Sequence, residues 1–283
     1  MKSLTKRCLT TFIGIPSIFC LIYCLPEHNH LAFACLVFTA SLIGSLEMRD
    51  LIIKATGEKP HLRFFVPPLL IVAAWIETYY EPVPITDFTL LILALFAFSM
   101  EIIYGWRDNF KGSMSRVGSS SLLLLYPSFF FTFLIKISEM DWPGNPDYNT
   151  FLLLLYFLLV FANDTFAYIF GNAFGKNNRN VLAVSPNKSI AGFIGGTVVT
   201  ILLSALYCFF INIGVSLVQS FILGLVISFS SNLGDLIESA FKRSAGVKDS
   251  GNIVPGRGGF LDSIDSLLAS APVFWLVFLI FKA

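Results

Sequence analysis

Charged side chains are scarce in this 283-residue chain, where Asp, Glu, Lys and Arg together make up 13% of the residues. A typical soluble domain has about 25%. Hydrophobic residues reach 55%, thirty residues are Phe, and the mean hydropathy is +0.76. The composition therefore excludes an ordinary soluble globular protein and predicts an all-α polytopic membrane protein.

The sequence also lacks the cysteine spacing of a metal site or a disulfide framework. Its five cysteines lie in apolar runs, so we interpret them as small buried hydrophobic residues. No small-residue cleavage site follows the first apolar run before Glu27, which favours an uncleaved first span over a signal peptide. The sequence shows no internal repeat, no low-complexity tract and no soluble domain.

About nine apolar segments are long enough to cross a bilayer, which takes about 20 mostly apolar residues per helix. Pro67 and Pro68 interrupt the third segment, and the last segment is short. About five of the predicted helices fall in an N-terminal region, 1–149, and the rest in a C-terminal region, 150–283. The predicted spans are 8–25, 31–48, 64–80, 87–106, 118–138, 150–170, 190–213, 216–237 and 266–281.

Basic residues predict the orientation of these spans, because Lys and Arg concentrate in cytoplasmic loops. With the N-terminus inside, every Lys and Arg except Lys136 and Lys282 falls on the inner side, and the outer loops carry mainly acids. Two long inner loops, 171–189 and 238–265, are therefore the segments in which cytoplasmic chemistry is expected. A polar site should lie at the cytoplasmic side of the C-terminal half.

Several acids lie within or at the ends of the apolar spans, where an unpaired charge costs about 2.5–3.5 kcal/mol even on the lenient insertion scale. Glu47 and Glu101 each have an arginine nearby in sequence, so an ordinary ion pair and a functional role are equally compatible with them. Asp164 has no nearby cation, and Tyr168 follows it one helical turn later, which favours a functional role. The acids concerned are Glu47, Glu101, Asp164, Asp235 and Glu238.

The segment from Ser239 to Asp265 has a composition unlike the rest of the chain. It places four cations, three acids and five glycines between two apolar runs. Clustered cations, a glycine-rich turn and paired acids suit a phosphate-rich ligand with a divalent metal. The charged residues are Lys242, Arg243, Lys248, Asp249, Arg257, Asp262 and Asp265.

The spacing within this segment predicts how the charges are presented. Asp235, Ser239 and Lys242 share one face of a helix that should continue past the membrane. The glycines after Pro255 exclude a regular helix, and a new helix should begin near Phe260, with an N-terminus that favours phosphate. Two acids one turn apart on that second helix suggest a metal site rather than helix capping alone.

These residues resemble the signature of the phosphatidate cytidylyltransferases, also called CDP-diacylglycerol synthases. The resemblance is close over the C-terminal half, where GDLIES, NDTFAYIFGNAFGKN and SPNKSIAGFIGG are also similar to family elements, whereas the first 150 residues match mainly in hydropathy. The signature positions are Ser239, Phe241, Lys242, Arg243, Lys248, Asp249, Gly251, Val254, Pro255, Gly256, Arg257, Gly258, Gly259, Phe260, Asp262, Ser263, Ile264 and Asp265.

The chain departs from the family pattern at three positions. Arg257 stands where the family has His, Ser263 where it has Arg, and Ala191 where it has Glu. An arginine keeps a hydrogen-bond donor but cannot act as a base near neutral pH, so we expect Arg257 to donate hydrogen bonds to phosphate. Because of these changes, an inactive scaffold is one of the alternatives.

The resemblance implies an enzyme of phospholipid biosynthesis in which a phosphate oxygen of phosphatidic acid attacks the α-phosphorus of CTP, giving CDP-diacylglycerol and pyrophosphate. The C-terminal region 150–283 is then the catalytic region. CTP, phosphatidic acid and the bilayer are the expected partners, no nucleic acid is expected, and a homodimer is left open. The chain length and simple tails favour a bacterial inner membrane.

The resemblance also assigns roles to the acids. Mg²⁺ is expected on Asp235 and Asp262, and a second cation such as K⁺ in the same site is left open. Asp249 should order the loop or assist the metal, and Asp265 should lie behind the metal ligands.

Phosphate binding is assigned to the cations, with Lys242, Arg243 and Lys248 holding the CTP phosphates or neutralising the leaving pyrophosphate. Lys188 fits a phosphate-binding role and a topology-setting role equally well. The expected substrate-binding residues are Asp164, Tyr168, Ser185, Lys188, Ser189, Ser239, Arg257, Gly258 and Gly259.

Two other classes of protein remain as alternatives. A related CTP-using membrane enzyme, such as a dolichol- or phytol-kinase-like protein or an archaeol cytidylyltransferase, would share many of these features. An ion-coupled transporter would explain acids inside the membrane, but such carriers often have internal repeats with broken helices in both halves. Here the polar residues concentrate in one half of the chain.

Overall fold

The computed structural model describes residues 2–80, 83–141, 147–179, 182–211, 213–256 and 258–282, with side chains described from Ile13 onward. All regular elements in these ranges are helical, which confirms the predicted fold class. The helices are α1 (Lys2–Cys24), α2 (Glu27–Thr56), α3 (Leu69–Glu77), α4 (Ile85–Tyr104), α5 (Ser113–Leu123), α6 (Phe130–Ser138), α7 (Tyr148–Phe174), α8 (Ile190–Ile211), α9 (Leu217–Ser244) and α10 (Leu261–Lys282).

Seven helical stretches are long and apolar enough to cross a membrane, by length and composition, within the described residues. The third predicted span forms an α-helix only over the nine residues of α3, because Pro67 and Pro68 precede it. At 1.5 Å per residue α3 is about 14 Å long, well short of a bilayer core. The span count of nine and the orientation stay predictions. The seven stretches are Glu27–Thr56, Ile85–Asp108, Ser113–Ser138, Tyr148–Phe174, Ile190–Ile211, Leu217–Ser244 and Leu261–Lys282.

The helix boundaries around the polar segment agree with the sequence prediction. Helix α9 has 28 residues, about 42 Å, so it exceeds the thickness of a bilayer core as predicted. Helix α10 begins at Leu261, one residue from the predicted start. The intervening residues cannot continue a helix because of their glycine and proline content.

The chain forms two compact units whose boundaries differ from its sequence halves. Unit 1 contains Met1–Glu139 and Phe241–Ser263, and unit 2 contains Met140–Ala240 and Ile264–Ala283. Most of the signature segment therefore belongs to the unit built mainly from the N-terminal helices. The predicted division at residue 150 concerned function and stays a prediction.

A buried ion cluster holds α4 and α5 together in unit 1. Glu101 accepts hydrogen bonds from Arg116 at 2.7 and 3.0 Å, contacts His61 Nε2 at 2.5 Å and accepts from Ser113 Oγ at 2.5 Å. Arg107 is the arginine nearest to Glu101 in the sequence, but its guanidinium lies 5.0 Å from the Tyr104 ring centroid. Glu101 is therefore accounted for as a structural ion pair, one of the two readings that the sequence left open.

Glycine allows α8 to lie very close to α7 in unit 2. A Cβ atom on Gly192 would meet the Ala167 carbonyl oxygen at 2.7 Å, and one on Gly196 would meet the Asn163 carbonyl oxygen at 2.9 Å. Small residues support helix association in lipid, where no hydrophobic driving force acts between helices. This packing fixes the position of Asn163 and hence of Asp164 beside it.

The Glu101–Arg116 pair generates a stability prediction. Glu101→Ala should lower the melting temperature of the detergent-purified protein, because it removes a carboxylate that pairs with Arg116 and accepts from Ser113. Asp87→Asn, which changes an exposed acid on the same helix, should leave thermal unfolding of the detergent-purified protein unchanged. Equal melting temperatures for the two variants would contradict a stabilising role for the cluster.

Candidate functional site

The loop between α9 and α10 is ordered by its own backbone. Gly246, with a φ of 66°, follows the end of α9, where Val247 N–H donates to the Lys242 carbonyl at 3.0 Å. Further on, Val254 and Gly258 exchange two backbone hydrogen bonds of 2.9 and 3.1 Å. Gly258 has a φ of 112°, a conformation that side-chain-bearing residues rarely adopt. The glycine-rich sequence thus produces a closed turn.

Asp262 connects the two ends of this loop. Its Oδ2 accepts hydrogen bonds from Ser250 N–H at 2.9 Å, Ser250 Oγ at 3.0 Å and Gly259 N–H at 2.8 Å. Its Oδ1 pairs with Lys242 near the end of α9. The carboxylate predicted to bind metal therefore also orders the loop, the role that the sequence suggested for Asp249.

Glu47 occupies the place at which the sequence predicted a phosphate. Its Oε1 accepts Phe260 N–H at 2.9 Å, and its Oε2 accepts Leu261 N–H at 2.8 Å. Oε2 also lies 3.0 Å from Ser250 Oγ, whose single hydroxyl hydrogen is shared between Glu47 and Asp262. These two amides belong to the N-terminus of α10, which attracts a negative charge. A carboxylate of the chain itself thus satisfies them.

The predicted loop residues fall into three groups in the structure. The N–H groups of Gly258 and Gly259 donate to Val254 and Asp262, so these glycines shape the loop. The side chains of Arg243, Lys248 and Asp249 are exposed, as ligand-binding groups at a surface would be. Arg257 lies outside the described residues.

An ion pair in unit 2 joins two of the predicted motifs. Lys188 Nζ lies 2.7 Å from Asp235 Oδ2, and Ser239 Oγ donates to Asp235 Oδ1 at 3.4 Å. Lys188 belongs to the SPNKS element and Asp235 to α9, 47 positions apart in the sequence. The structure therefore brings Lys188 to a predicted metal-binding carboxylate, which favours a site role over a purely topological one.

Asp164 lies among hydroxyl donors on neighbouring helices. Its Oδ1 accepts hydrogen bonds from Ser231 Oγ at 3.2 Å and Ser266 Oγ at 3.3 Å. Its side chain remains exposed, as does Tyr168, which is 62% exposed one turn further on. The expectation that these two line a polar cavity stays a prediction.

Four carboxylates interact electrostatically in unit 2. Asp265, which is 7% exposed, is near enough to Asp235, Glu238 and Asp164 to feel their charges. Among the described residues, no three His, Cys, Asp or Glu side chains are arranged to hold a metal ion as they stand. A bound cation would nevertheless reduce the repulsion among these carboxylates, and their oxygens are the hard donors that Mg²⁺ prefers. Mg²⁺ needs only one or two carboxylates from the protein.

The SPNKS element forms a turn that starts α8. Ser185 is half-buried, and its carbonyl accepts Lys188 N–H at 3.1 Å. Ser189 Oγ accepts Gly192 N–H at 3.1 Å, the geometry of a helix N-cap. This turn fixes the position from which Lys188 reaches Asp235, so both serines have a structural task in addition to their predicted binding role.

Two acids were missing from the predicted site. Glu238 falls in the GDLIES motif, and the only sequence feature that indicated a role for it was its position at the end of an apolar span. Glu47 had the same signal, but its partners lie more than 200 residues away in the chain, beyond the range of any local pattern.

Comparison with known proteins gives one consistent result. The model of the cytidylyltransferase family matches residues 5–281. A Haemophilus influenzae protein named phosphatidate cytidylyltransferase is 31% identical over 96% of this chain and 97% of that protein. An Aquifex aeolicus protein of the same name is 34% identical over 76% of this chain and 71% of that protein. One from Staphylococcus saprophyticus is 41% identical over 43% of this chain and 46% of that protein.

The loop geometry predicts different outcomes for two glycines. Gly259→Ala should lower the free energy of unfolding by about 1–3 kcal/mol, because the new Cβ would collide with Ser250 and approach Glu47 Oε2 to 2.8 Å. Gly118→Ala in α5 meets nothing within 4 Å and should stabilise the helix by up to about 1 kcal/mol. Thermal unfolding in detergent distinguishes them, and a Gly259→Ala variant as stable as Gly118→Ala would contradict the close packing.

Proposed function

The chain belongs to the cytidylyltransferase family and makes CDP-diacylglycerol for phospholipid biosynthesis, and we propose that it does so from CTP and phosphatidic acid in a magnesium-dependent reaction. The geometric observation that carries the proposal is the 2.7 Å pair between Lys188 and Asp235. It joins a cation suited to phosphate and a carboxylate suited to a metal from two motifs that are separate in sequence.

The reaction requires little covalent help from the protein. A phosphate oxygen of phosphatidic acid forms a bond to the α-phosphorus of CTP, and the bond from that phosphorus to the bridging oxygen of the β-phosphate breaks. Pyrophosphate leaves with the electron pair. Because the nucleophile is already an anion, the protein's main tasks are to orient the two substrates and to offset negative charge.

Named side chains suit these tasks. Arg243 and Lys248 present exposed cations beside the loop, where they would bind the phosphates of CTP. Lys242 is oriented by Asp262, and Lys188 by Asp235, so each is held in place before substrate arrives. Arg257 would add hydrogen bonds to phosphate without acting as a base.

The metal assignment remains part of the proposal, with Asp235 and Asp262 as the ligands and Asp265 behind them. When bound, Mg²⁺ would neutralise charge on the phosphates of the nucleotide. Two features support it: the carboxylates around Asp235, whose negative charges interact unfavourably in unit 2, and Asp262, whose Oδ1 already pairs with a cation, the Lys242 ammonium. A second cation such as K⁺ would reduce the same repulsion.

The lipid substrate has to be reached from within the bilayer, because its acyl chains do not leave the membrane. The exposed side chains of Asp164 and Tyr168 on α7 are suited to line a polar entry toward the phosphate headgroup. Helices that can span a membrane and relatives from bacteria support a bacterial inner membrane, with the charged loops facing the cytoplasm.

The assay that tests this function uses purified protein in detergent with phosphatidic acid, CTP labelled in the α-phosphate or cytosine, and Mg²⁺. We expect a lipid-linked CMP and one pyrophosphate per turnover. A kinase-like activity would instead transfer the γ-phosphate, so γ-labelled CTP gives a labelled lipid only in that case. An absence of any CTP-derived lipid would refute the proposal.

Two substitutions locate the reaction within this assay. Asp235→Asn and Asp262→Asn should each lower turnover by roughly 100-fold or more, because each removes a charged ligand of the proposed metal. Asp87→Asn, the same substitution at an exposed acid of α4, is the matched control and should stay within about twofold. Near-normal turnover in both Asp variants would rule out the metal assignment.

The orientation can be tested with single cysteines in a cysteine-free background. Asn177→Cys and Asn252→Cys place the probes at exposed positions of the two predicted inner loops. In intact cells both should react only with reagents that cross the membrane. Labelling of either position by an impermeant reagent would contradict cytoplasmic loops.

A further inference from the structure

Glu47 is a buried acid to which the proposed reaction assigns no role. It lies on α2 and is 4% exposed, although a buried charge is costly unless it is well hydrogen-bonded. Its sequence neighbour Arg49 pairs with Asp50 at 2.6 Å, so the ion pair that the sequence allowed for Glu47 does not form with that arginine. Among the described residues, the donors to Glu47 are Ser250, Phe260 and Leu261, which lie in the signature loop or at the start of α10.

The two carboxylate oxygens match three donors in a way that a neutral side chain cannot. One oxygen accepts the Phe260 amide, and the other accepts the Leu261 amide and the Ser250 hydroxyl. An ionised carboxylate only accepts hydrogen bonds, whereas a glutamine amide would turn two N–H donors toward one side of this set. The negative charge also suits the N-terminus of α10.

Three glycines make room for this contact. A Cβ atom on Gly251 would collide with Glu47 Oε1, and one on Gly259 would lie 2.8 Å from Glu47 Oε2. On α2 itself, Gly44 precedes Glu47 by one turn, and a Cβ there would lie 3.3 Å from Leu261. Both the loop and α2 are therefore shaped to bring the Glu47 carboxylate against the start of α10.

We propose that Glu47 is a positioning residue for the loop from Ser250 to Leu261. Ser250 links the two acids, because its hydroxyl lies 3.0 Å from both Glu47 Oε2 and Asp262 Oδ2 and its N–H donates to Asp262. By holding Ser250, Glu47 fixes the carboxylate that orients Lys242. It thereby also sets the backbone that presents Lys248 and Asp249. The N-terminal helices then contribute to the reaction through Glu47. The catalytic consequence rests on the proposed function, whereas the positioning itself does not.

The direct test compares Glu47→Gln with Glu27→Gln, the same substitution at an exposed position of the same helix. Hydrogen–deuterium exchange should become faster in peptides covering 250–261 of Glu47→Gln, by about tenfold or more at the Phe260 and Leu261 amides. Peptides of α7 should be unchanged, and Glu27→Gln should match the wild type throughout. Unchanged exchange in 250–261, or equally faster exchange in α7, would overturn the proposal.

The kinetic test separates positioning from general stability. Per folded molecule, Glu47→Gln should have a kcat about tenfold lower or more and a raised KM for CTP, with KM for phosphatidic acid within about twofold. A variant that lost only folded protein would keep all three constants, which would contradict the proposal. If wild-type protein makes no CDP-diacylglycerol, the proposed function fails, and the exchange result still decides the positioning.

Ser250→Ala provides a second route if Glu47→Gln does not fold. It removes the hydroxyl that Glu47 and Asp262 share, while keeping the Ser250 backbone bond to Asp262 and the two amide bonds to Glu47. Faster exchange at Phe260 and Leu261, with a kcat lowered by about two- to tenfold, supports the proposal. Wild-type exchange at these two amides would overturn it.

Discussion

A buried carboxylate in an apolar chain is stable only when it accepts hydrogen bonds or pairs with a cation. In the described structure, the partners of a few such carboxylates determine which helices and loops are held together. Glu101 finds Arg116 and joins α4 to α5. Asp262 finds Lys242 and the loop amides, and Glu47 finds the first amides of α10. In a chain with few charges, each such residue determines the position of a whole helix or loop.

The carboxylates of the two units meet this constraint in different ways. In unit 1, Asp262 and Glu47 accept hydrogen bonds mainly from loop amides and share the Ser250 hydroxyl, and these bonds connect the two ends of the loop. In unit 2, Asp235, Asp164 and Asp265 repel one another, with Lys188 as the paired cation of Asp235. The first arrangement suits the ordering of a polypeptide, and the second suits the binding of an added cation.

Local patterns predicted a large part of this architecture. The length of α9 and the start of α10 followed from apolar runs and glycine content, and the face shared by Asp235 and Ser239 followed from helical spacing. Pairing could not be predicted in the same way. Arg107 is nearer to Glu101 in sequence than Arg116, yet the chain turn after α4 brings Arg116 to it. Glu47 meets the loop only through tertiary packing, so its position on α2 gave no sign of its partners.

The composition of unit 1 has a consequence for how the protein is made. Glu47 and Ser250 are 203 residues apart, which corresponds to on the order of 10–40 s of translation at 5–20 residues per second. During that interval the nascent α2 is already synthesised while the donors for its buried acid are not. The Glu47 carboxylate of α2 therefore cannot reach its final partners until nearly the whole chain has been synthesised, so the packing of unit 1 is completed only late in translation.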